Sequence, residues 1–73
     1  MDSNSIRLDA KAIGQRLIKL RGNRTQDEVS KAVKSSVSAI GMYERGVRIP
    51  RDEMKIALAK YYDTTVQAIF FDD

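Results

Sequence analysis

The chain has 73 residues, of which 42% are hydrophobic and 32% charged, and it carries a net charge of +3. This length holds a single domain, and this composition is typical of a globular chain rather than a disordered one. Cysteine and histidine are both absent, which excludes disulfide frameworks, zinc sites of the Cys/His type, thiol nucleophiles and histidine general bases. We therefore expect no enzyme, no metal site and no cofactor.

The positive charge is concentrated in the middle of the chain. Between Ala10 and Arg48 there are nine basic and three acidic residues, a local net charge of +6. A basic middle with acidic ends favours a polyanionic partner, with nucleic acid ahead of an anionic membrane surface. No uncharged stretch is long enough to cross a bilayer, and no apolar segment follows a basic start as in a secretory signal.

The first predicted helix begins after an N-cap at Asp9, runs through Arg21 and ends at Gly22. Its apolar side chains recur at helical spacing on one face: Ile13, Leu17 and Leu20. A second helix begins at Thr25, because Thr25 and Glu28 have the spacing of a capping box. This helix is expected to bury Val29 and Val33 and to end near Val33.

A third helix is predicted from Val37 to about Arg45, with Ser36 as its N-cap and Gly46 as its stop. The inner face is marked by Val37, Ile40 and Tyr43 or Glu44. The outward set, in which Val37 is counted again, contains no acidic residue: Val37, Ser38, Gly41, Met42 and Arg45.

Pro50 is expected in the first turn of a fourth helix that runs to about Tyr62, since its missing N–H costs nothing there. Thr65 is the expected cap of a short fifth helix that holds Val66, Ile69 and Phe70. One of Phe70 and Phe71 is expected to enter the core. No segment alternates as a strand does, so the predicted fold class is all-α, a compact five-helix bundle.

The second and third helices, joined by a short turn, form a helix-turn-helix unit. Such a unit can place its second helix in the major groove of DNA, which is wide enough for one α-helix. Small, flexible or cationic outward side chains allow that approach, and the lack of outward carboxylates suits closeness to phosphates.

Residues 25–33 and the following run 36–46 resemble the Xre or Cro/CI family, the phage lambda repressor type of regulator. The residues in register with the family pattern are Gln26, Val29, Ile40, Glu44, Gly46 and Pro50. The resemblance covers roughly residues 10–71. It implies a lambda repressor-like bundle that binds double-stranded DNA in a sequence-specific way.

The resemblance also implies roles for single residues. Gln26 matches a glutamine that binds a DNA phosphate and braces the recognition helix, and Glu44 matches a structural glutamate that pairs with a basic residue on the first or fourth helix. Ser36 and Ser38 match positions that meet phosphate or base edges, and Val37 and Met42 match base-reading positions. Arg45 corresponds to a position that contacts the DNA backbone. The complete predicted DNA-binding set is Gln26, Ser36, Val37, Ser38, Gly41, Met42, Arg45 and Arg48.

Gly41 fits either a close helix crossing or room for a base or sugar. Three residues depart from the family pattern. Ser30 stands where a small apolar residue is common, Lys34 where glycine is common, and Ser35 where an apolar residue is common.

The sequence thus predicts a cytoplasmic, nucleoid-associated transcriptional regulator without a membrane partner or an evident small-molecule ligand. We expect a repressor that binds a pseudo-palindromic operator as a homodimer, with residues 37–45 in the major groove. Residues 1–8 are predicted to be a flexible N-terminal arm and residues 9–73 a single helix-turn-helix domain. The alternative is a protein-interaction module of the same fold, either antitoxin-like or regulator-binding, without its own operator.

Overall fold

The computed structural model describes residues 8–71, and these residues form five helices. Their bounds are α1 Ala10–Arg21, α2 Gln26–Ala32, α3 Val37–Arg45, α4 Asp52–Tyr61 and a fifth, π-helical segment, Gln67–Phe71. The predicted all-α fold class is confirmed. The predicted N-terminal arm lies outside the described residues except for Leu8, which is half-buried against the core. Residues 72–73 of the predicted domain also lie outside them.

The first three helices begin at the caps that the sequence predicted. The Asp9 carboxylate accepts a hydrogen bond from the Ala12 N–H at 3.1 Å. At the start of α2, the Thr25 hydroxyl accepts from the Glu28 N–H at 3.0 Å and the Glu28 carboxylate accepts from the Thr25 N–H at 2.8 Å. Ser36 caps α3 through its hydroxyl in the same manner. These bonds satisfy N–H groups that a helix start otherwise leaves without partners.

The end of α3 requires a glycine. Gly46 has a φ of 76°, in the left-handed region that L side chains rarely adopt. The Val47 N–H donates to the Met42 carbonyl at 3.1 Å, which closes the helix. A β-carbon at position 46 would lie 2.8 Å from the Cα of Lys11, so the turn also lets α1 approach the end of α3.

The prediction that Pro50 occupies the first turn of α4 is wrong. The helix begins at Asp52 after an N-cap at Arg51, and the buried Pro50 belongs to the preceding link. The first turn instead holds the carboxylates of Asp52 and Glu53. The positive end of the helix dipole stabilises acidic side chains there, which accounts for the later start.

Side chains from all five helices form one core. The members are Ile13, Leu17, Val29, Val33, Ala39, Ile40, Tyr43, Leu58, Ala59, Tyr62, Ile69 and Phe70. Phe70 is 2% exposed and Phe71 is 43% exposed, which confirms that one of the pair enters the core. No helix within residues 8–71 is long and apolar enough to span a membrane.

Helix α3 is held between two other helices. It packs mainly on α1 and also on α2, and the fifth helix packs on α1 as well. Gly14 lets α1 approach α3 closely, because a β-carbon there would lie 2.8 Å from the carbonyl oxygen of Tyr43. The core therefore fixes the direction in which α3 presents its outer face.

Candidate nucleic-acid interface

The turn between α2 and α3 is short and tightly bonded. Val33 ends α2, and Lys34 follows with a φ of 59°, the left-handed conformation in which the family pattern has glycine. The Ser35 N–H then donates to the carbonyl of Ser30 at 2.8 Å. These residues reverse the chain so that α3 begins directly after the turn.

The buried serine in α2 is accommodated without an unsatisfied group. Ser30 is 3% exposed, and its hydroxyl donates to the carbonyl of Asp27 at 2.8 Å. A buried hydroxyl costs free energy only when it lacks a hydrogen bond. Serine in place of the small apolar residue of the family pattern therefore leaves the packing of α2 on α3 intact.

The outward face of α3 carries neutral and cationic side chains. Val37, Ser38 and Arg45 are exposed and Met42 is half-buried. Val37, which the sequence assigned to both faces, is 43% exposed and lies on the outward one. The carboxylate of α3 belongs to Glu44, which is 6% exposed. The helix thus presents an accessible face without a negative charge.

Glu44 is held by partners on two other helices. Arg21 of α1 donates its Nε–H to Oε2 of Glu44 at 2.7 Å, and Gln26 of α2 donates from Nε2 to Oε1 at 2.8 Å. The hydrogen bond to Glu44 raises the pKa of the Arg21 guanidinium. The Arg21 guanidinium neutralises the carboxylate, and the two bonds together tie α3 to α1 and α2. The expected structural role of Glu44 is thereby observed, with Arg21 as its basic partner.

Gln26, Gly41 and Arg45 come together on the surface of the α2–α3 unit. Gly41 is buried although it lies in the predicted outward set. A β-carbon at this position would lie 3.1 Å from Nη1 of Arg45, 3.8 Å from Oε1 of Gln26 and 3.9 Å from its Nε2. Two polar side chains therefore cover the glycine.

The other predicted residues lie at the two ends of α3. Ser36, Val37 and Ser38 are exposed at its N-terminal end, where the Ser36 hydroxyl accepts the Ala39 N–H at 3.0 Å. Arg48 is exposed beyond its C-terminal end, beside a shallow depression that it lines with Tyr43 and residues of α4. Within residues 8–71, no hydrogen bond or ion pair joins Arg48 to Gln26 or Arg45.

Sequence reasoning did not single out two positions that shape this surface. Arg21 is one of several basic residues of α1, and the resemblance required only that a basic residue of the first or fourth helix pair with Glu44. Gly14 has no sequence signal apart from its position on a helix, yet it sets the distance between α1 and α3. Both positions become recognisable only when α1 is packed on α3.

Arg24, in the loop between α1 and α2, contacts two tyrosines at the end of α4. The guanidinium of Arg24 lies 5.2 Å from the ring centre of Tyr61 and 5.5 Å from that of Tyr62. The same side chain donates from Nη1 to the Leu20 carbonyl at 3.1 Å. Cation–π contacts of this kind stabilise a folded state modestly, so Arg24 serves the fold. Across the described residues, no group of three or more acidic, histidine or cysteine side chains could hold a metal ion.

Comparisons with known proteins agree with this geometry. A family model described as Helix-turn-helix matches residues 15–69. Among solved structures, the chain is similar to the P22 c2 repressor protein, crystallised in complex with the synthetic operator 9T in the presence of Tl⁺. The TM-score is 0.80 at 27% sequence identity, over 84% of this chain and 96% of that one. Among curated proteins, no relative matches the sequence significantly.

Proposed function

Because the chain belongs to the helix-turn-helix family, we propose that it is a sequence-specific, double-stranded DNA-binding transcriptional regulator. In this proposal it is a repressor that binds a pseudo-palindromic operator as a homodimer. Helix α3 lies in the major groove. The family is one of non-enzymatic regulators.

The observation that carries the proposal is the charge arrangement of α3. Its accessible side chains include Val37, Ser38 and Arg45, whereas Glu44 is buried and bonded to Arg21 and Gln26. An exposed carboxylate on this face would be repelled by phosphates, which dominate the affinity of proteins for DNA. Burying and neutralising that carboxylate leaves a face that DNA can approach.

Positioning on the duplex is assigned to side chains that reach phosphates. Gln26 donates to a phosphate through the amide hydrogen that is not bonded to Glu44, and Arg45 donates through its exposed guanidinium. Arg48 extends this contact beyond the end of α3, and Ser36 meets the backbone at its start. Phosphate contacts set register and orientation without reading base identity.

Base reading is assigned to the N-terminal and central part of α3. The Ser38 hydroxyl can donate to or accept from base edges, while Val37 and Met42 offer apolar atoms to the methyl group of thymine. Gly41 adds no side chain between these residues. One helix of this length reads only a few base pairs, so a dimer with two helices one helical turn apart supplies a usable site.

The likeness to the P22 c2 repressor supports the repressor role. That protein was crystallised with a synthetic operator, and it shares 27% of its residues and the fold with this chain. The alignment spans 84% of this chain. We therefore propose operator binding for this protein by the same kind of surface.

The competing function is a protein-interaction module of the same fold. Two exposed apolar residues near the ends of α3 favour it: Val37 is 43% exposed and Val47 is 66% exposed. Exposed apolar side chains near each other are typical of protein interfaces when they form a patch. Val37 and Val47 lie at opposite ends of α3, with a serine and an arginine on the surface between them. They therefore do not form one patch.

Selection of DNA from a random duplex pool at fixed salt tests the proposal. The wild-type protein should enrich a sequence with two related half-sites about one helical turn apart. The matched control is the Gln26→Ala/Arg45→Met double variant, which should enrich the same sequence far less. If the wild-type protein enriches no palindrome, the interaction-module function is favoured instead.

A further inference from the structure

Gly41 lies in the middle of α3 but does not serve a close contact between helices. The atoms nearest to a β-carbon at this position belong to the Arg45 and Gln26 side chains, at 3.1 Å and 3.8 Å. At Gly14, by contrast, a β-carbon would meet backbone atoms of α3, with the Tyr43 oxygen at 2.8 Å. Helix packing therefore explains Gly14 and leaves Gly41 without a structural cause.

The position of Arg45 explains why the glycine matters. Side chains of a helix tilt toward its N-terminus, so a residue at i+4 lies over residue i. Arg45 follows this rule and lies back over Gly41, with Nη1 close to where the methyl group of an alanine would be. A glycine inside a helix lowers helix stability relative to alanine, so the space at position 41 has a cost that function can offset.

The two side chains above Gly41 have free hydrogen-bond donors. Within the described residues, Arg45 has no carboxylate within ion-pair distance, and Gln26 uses only one amide hydrogen, on Glu44. That bond also fixes the orientation of the amide, because the carboxylate accepts only from the nitrogen. The Gln26 amide and the Arg45 guanidinium both lie within 4 Å of the same point, the place that a β-carbon of residue 41 would occupy.

We propose that Gly41 is a positioning residue for a phosphate-binding cradle formed by Gln26 and Arg45. The missing side chain lets the Arg45 guanidinium lie beside the Gln26 amide, so that both bind one DNA phosphate. This inference rests on the DNA-binding function proposed above. It assigns to Gly41 a role through Arg45, in place of direct contact with a base or a sugar.

The geometry separates the two partners of the cradle. A methyl group at position 41 would make ordinary van der Waals contact with the Gln26 amide, whereas it would displace the flexible end of Arg45. Gly41→Ala should therefore act on DNA binding through Arg45 alone. Because alanine is the better helix former, the same change should hold or raise the melting temperature of the free protein.

The test is a double-mutant cycle on operator binding, measured by fluorescence titration at several salt concentrations. Gly41→Ala should weaken binding about tenfold, as the removal of a charged hydrogen bond does. The slope of log K against log salt should become shallower by about 0.9 for each phosphate that the protein no longer neutralises. In the Arg45→Ala background, Gly41→Ala should change the affinity less than twofold, as follows when both changes act on the same interaction. Lys60→Met, which removes one charge from α4, is the matched control for net charge.

The possible results distinguish a failure of this inference from a failure of the proposed function. An equal decrease in affinity for Gly41→Ala with and without Arg45 means that DNA itself occupies the space, which overturns the inference but leaves the DNA-binding function in place. A lower melting temperature for Gly41→Ala overturns it as well, because the glycine would then serve the fold. If the wild-type protein binds no DNA sequence, the proposed function and this inference both fail.

Discussion

Arg21 and Glu44 form an ion pair that joins the last turn of α1 to the last turn of α3. The Arg21 Nε donates to Oε2 of Glu44 at 2.7 Å, and the two side chains are 22% and 4% exposed. The other carboxylate oxygen accepts from Gln26. One buried carboxylate thus holds three helices in a fixed arrangement, and α3 can present its outer face only in that arrangement.

Removing the basic partner should destabilise the fold. Arg21→Met leaves the buried Glu44 carboxylate with one hydrogen bond, and we expect the free energy of unfolding to fall by about 2–4 kcal/mol. The double variant Arg21→Met/Glu44→Gln should be more stable than Arg21→Met alone, because it leaves no uncompensated charge. Urea denaturation measures both. Lys19→Met, an exposed cation in the same turn of α1, is the control and should change stability little, and equal decreases for Lys19→Met and Arg21→Met would contradict the assignment.

The turn residue Lys34 should gain stability when it is replaced by glycine. Its φ of 59° costs a non-glycine residue about 1–2 kcal/mol, and the extra freedom of the unfolded glycine chain offsets about 0.4–1 kcal/mol of the gain. The melting temperature of the free protein should therefore hold or rise. Asp63→Gly is the comparison, since Asp63 has a φ of 57° but aspartate tolerates this conformation better. A clear fall in melting temperature for Lys34→Gly would show that position 34 does not require the left-handed conformation.

The buried phenol of Tyr62 should make stability depend on alkaline pH. Burial raises the pKa of Tyr62 to about 12, with the Glu44 carboxylate adding to the shift, whereas an unfolded tyrosine titrates near 10. A raised folded-state pKa stabilises the protein fully below about pH 10, and that stabilisation is lost as the pH rises toward 12. With partial solvent screening, we expect a decrease of about 1–2 kcal/mol. Denaturation of wild type and Tyr62→Phe at several pH values from 9 to 12 should show a steeper decline for wild type, and parallel curves would refute the assignment.

Operator affinity should depend steeply on salt. With the two cationic phosphate contacts assigned to each protomer, Arg45 and Arg48, a dimer neutralises about 4 phosphates, and log K should fall against log salt with a slope of about −3 to −4. Arg45→Met should make the slope shallower by about 2 for the dimer, since each protomer then neutralises one phosphate fewer. A filter-binding titration measures both slopes. A wild-type slope near zero would exclude this mode of docking.

Gln26 should position the protein on DNA without reading base identity, whereas Met42 should read base identity. Gln26→Ala should weaken binding to specific and unrelated DNA to a similar degree, because phosphates carry no base identity. Met42→Ala should change which bases are preferred, with about 1–3 kcal/mol of discrimination at stake for each position. Repeating the random-pool selection with each variant tests this. A changed preference for Gln26→Ala and an unchanged one for Met42→Ala would reverse the assigned roles.

Local signals in the sequence were sufficient to predict most of the helices. Asp9, Thr25 with Glu28, and Ser36 are caps whose hydrogen bonds form within three residues, so they operate wherever the chain lies in space. Gly46 closes α3 by its own conformation. The predicted position of Pro50 in the first turn of α4 was wrong, because a proline is acceptable both in the first turn of a helix and in the link before it. The carboxylates of Asp52 and Glu53 favour the later start.

The arrangement around α3 was decided by the tertiary structure. Arg21 and Glu44 are separated by 23 positions, and nothing local distinguishes Arg21 from the other cations of α1. Gly14 and Gly41 look alike in the sequence, yet one faces the backbone of another helix and the other lies beneath two side chains. The sequence by itself determines where most of the helices begin and end, because capping and periodicity act over a few residues. Which side chains meet depends on how the helices pack, and only packing brings Gln26, Gly41 and Arg45 to one place.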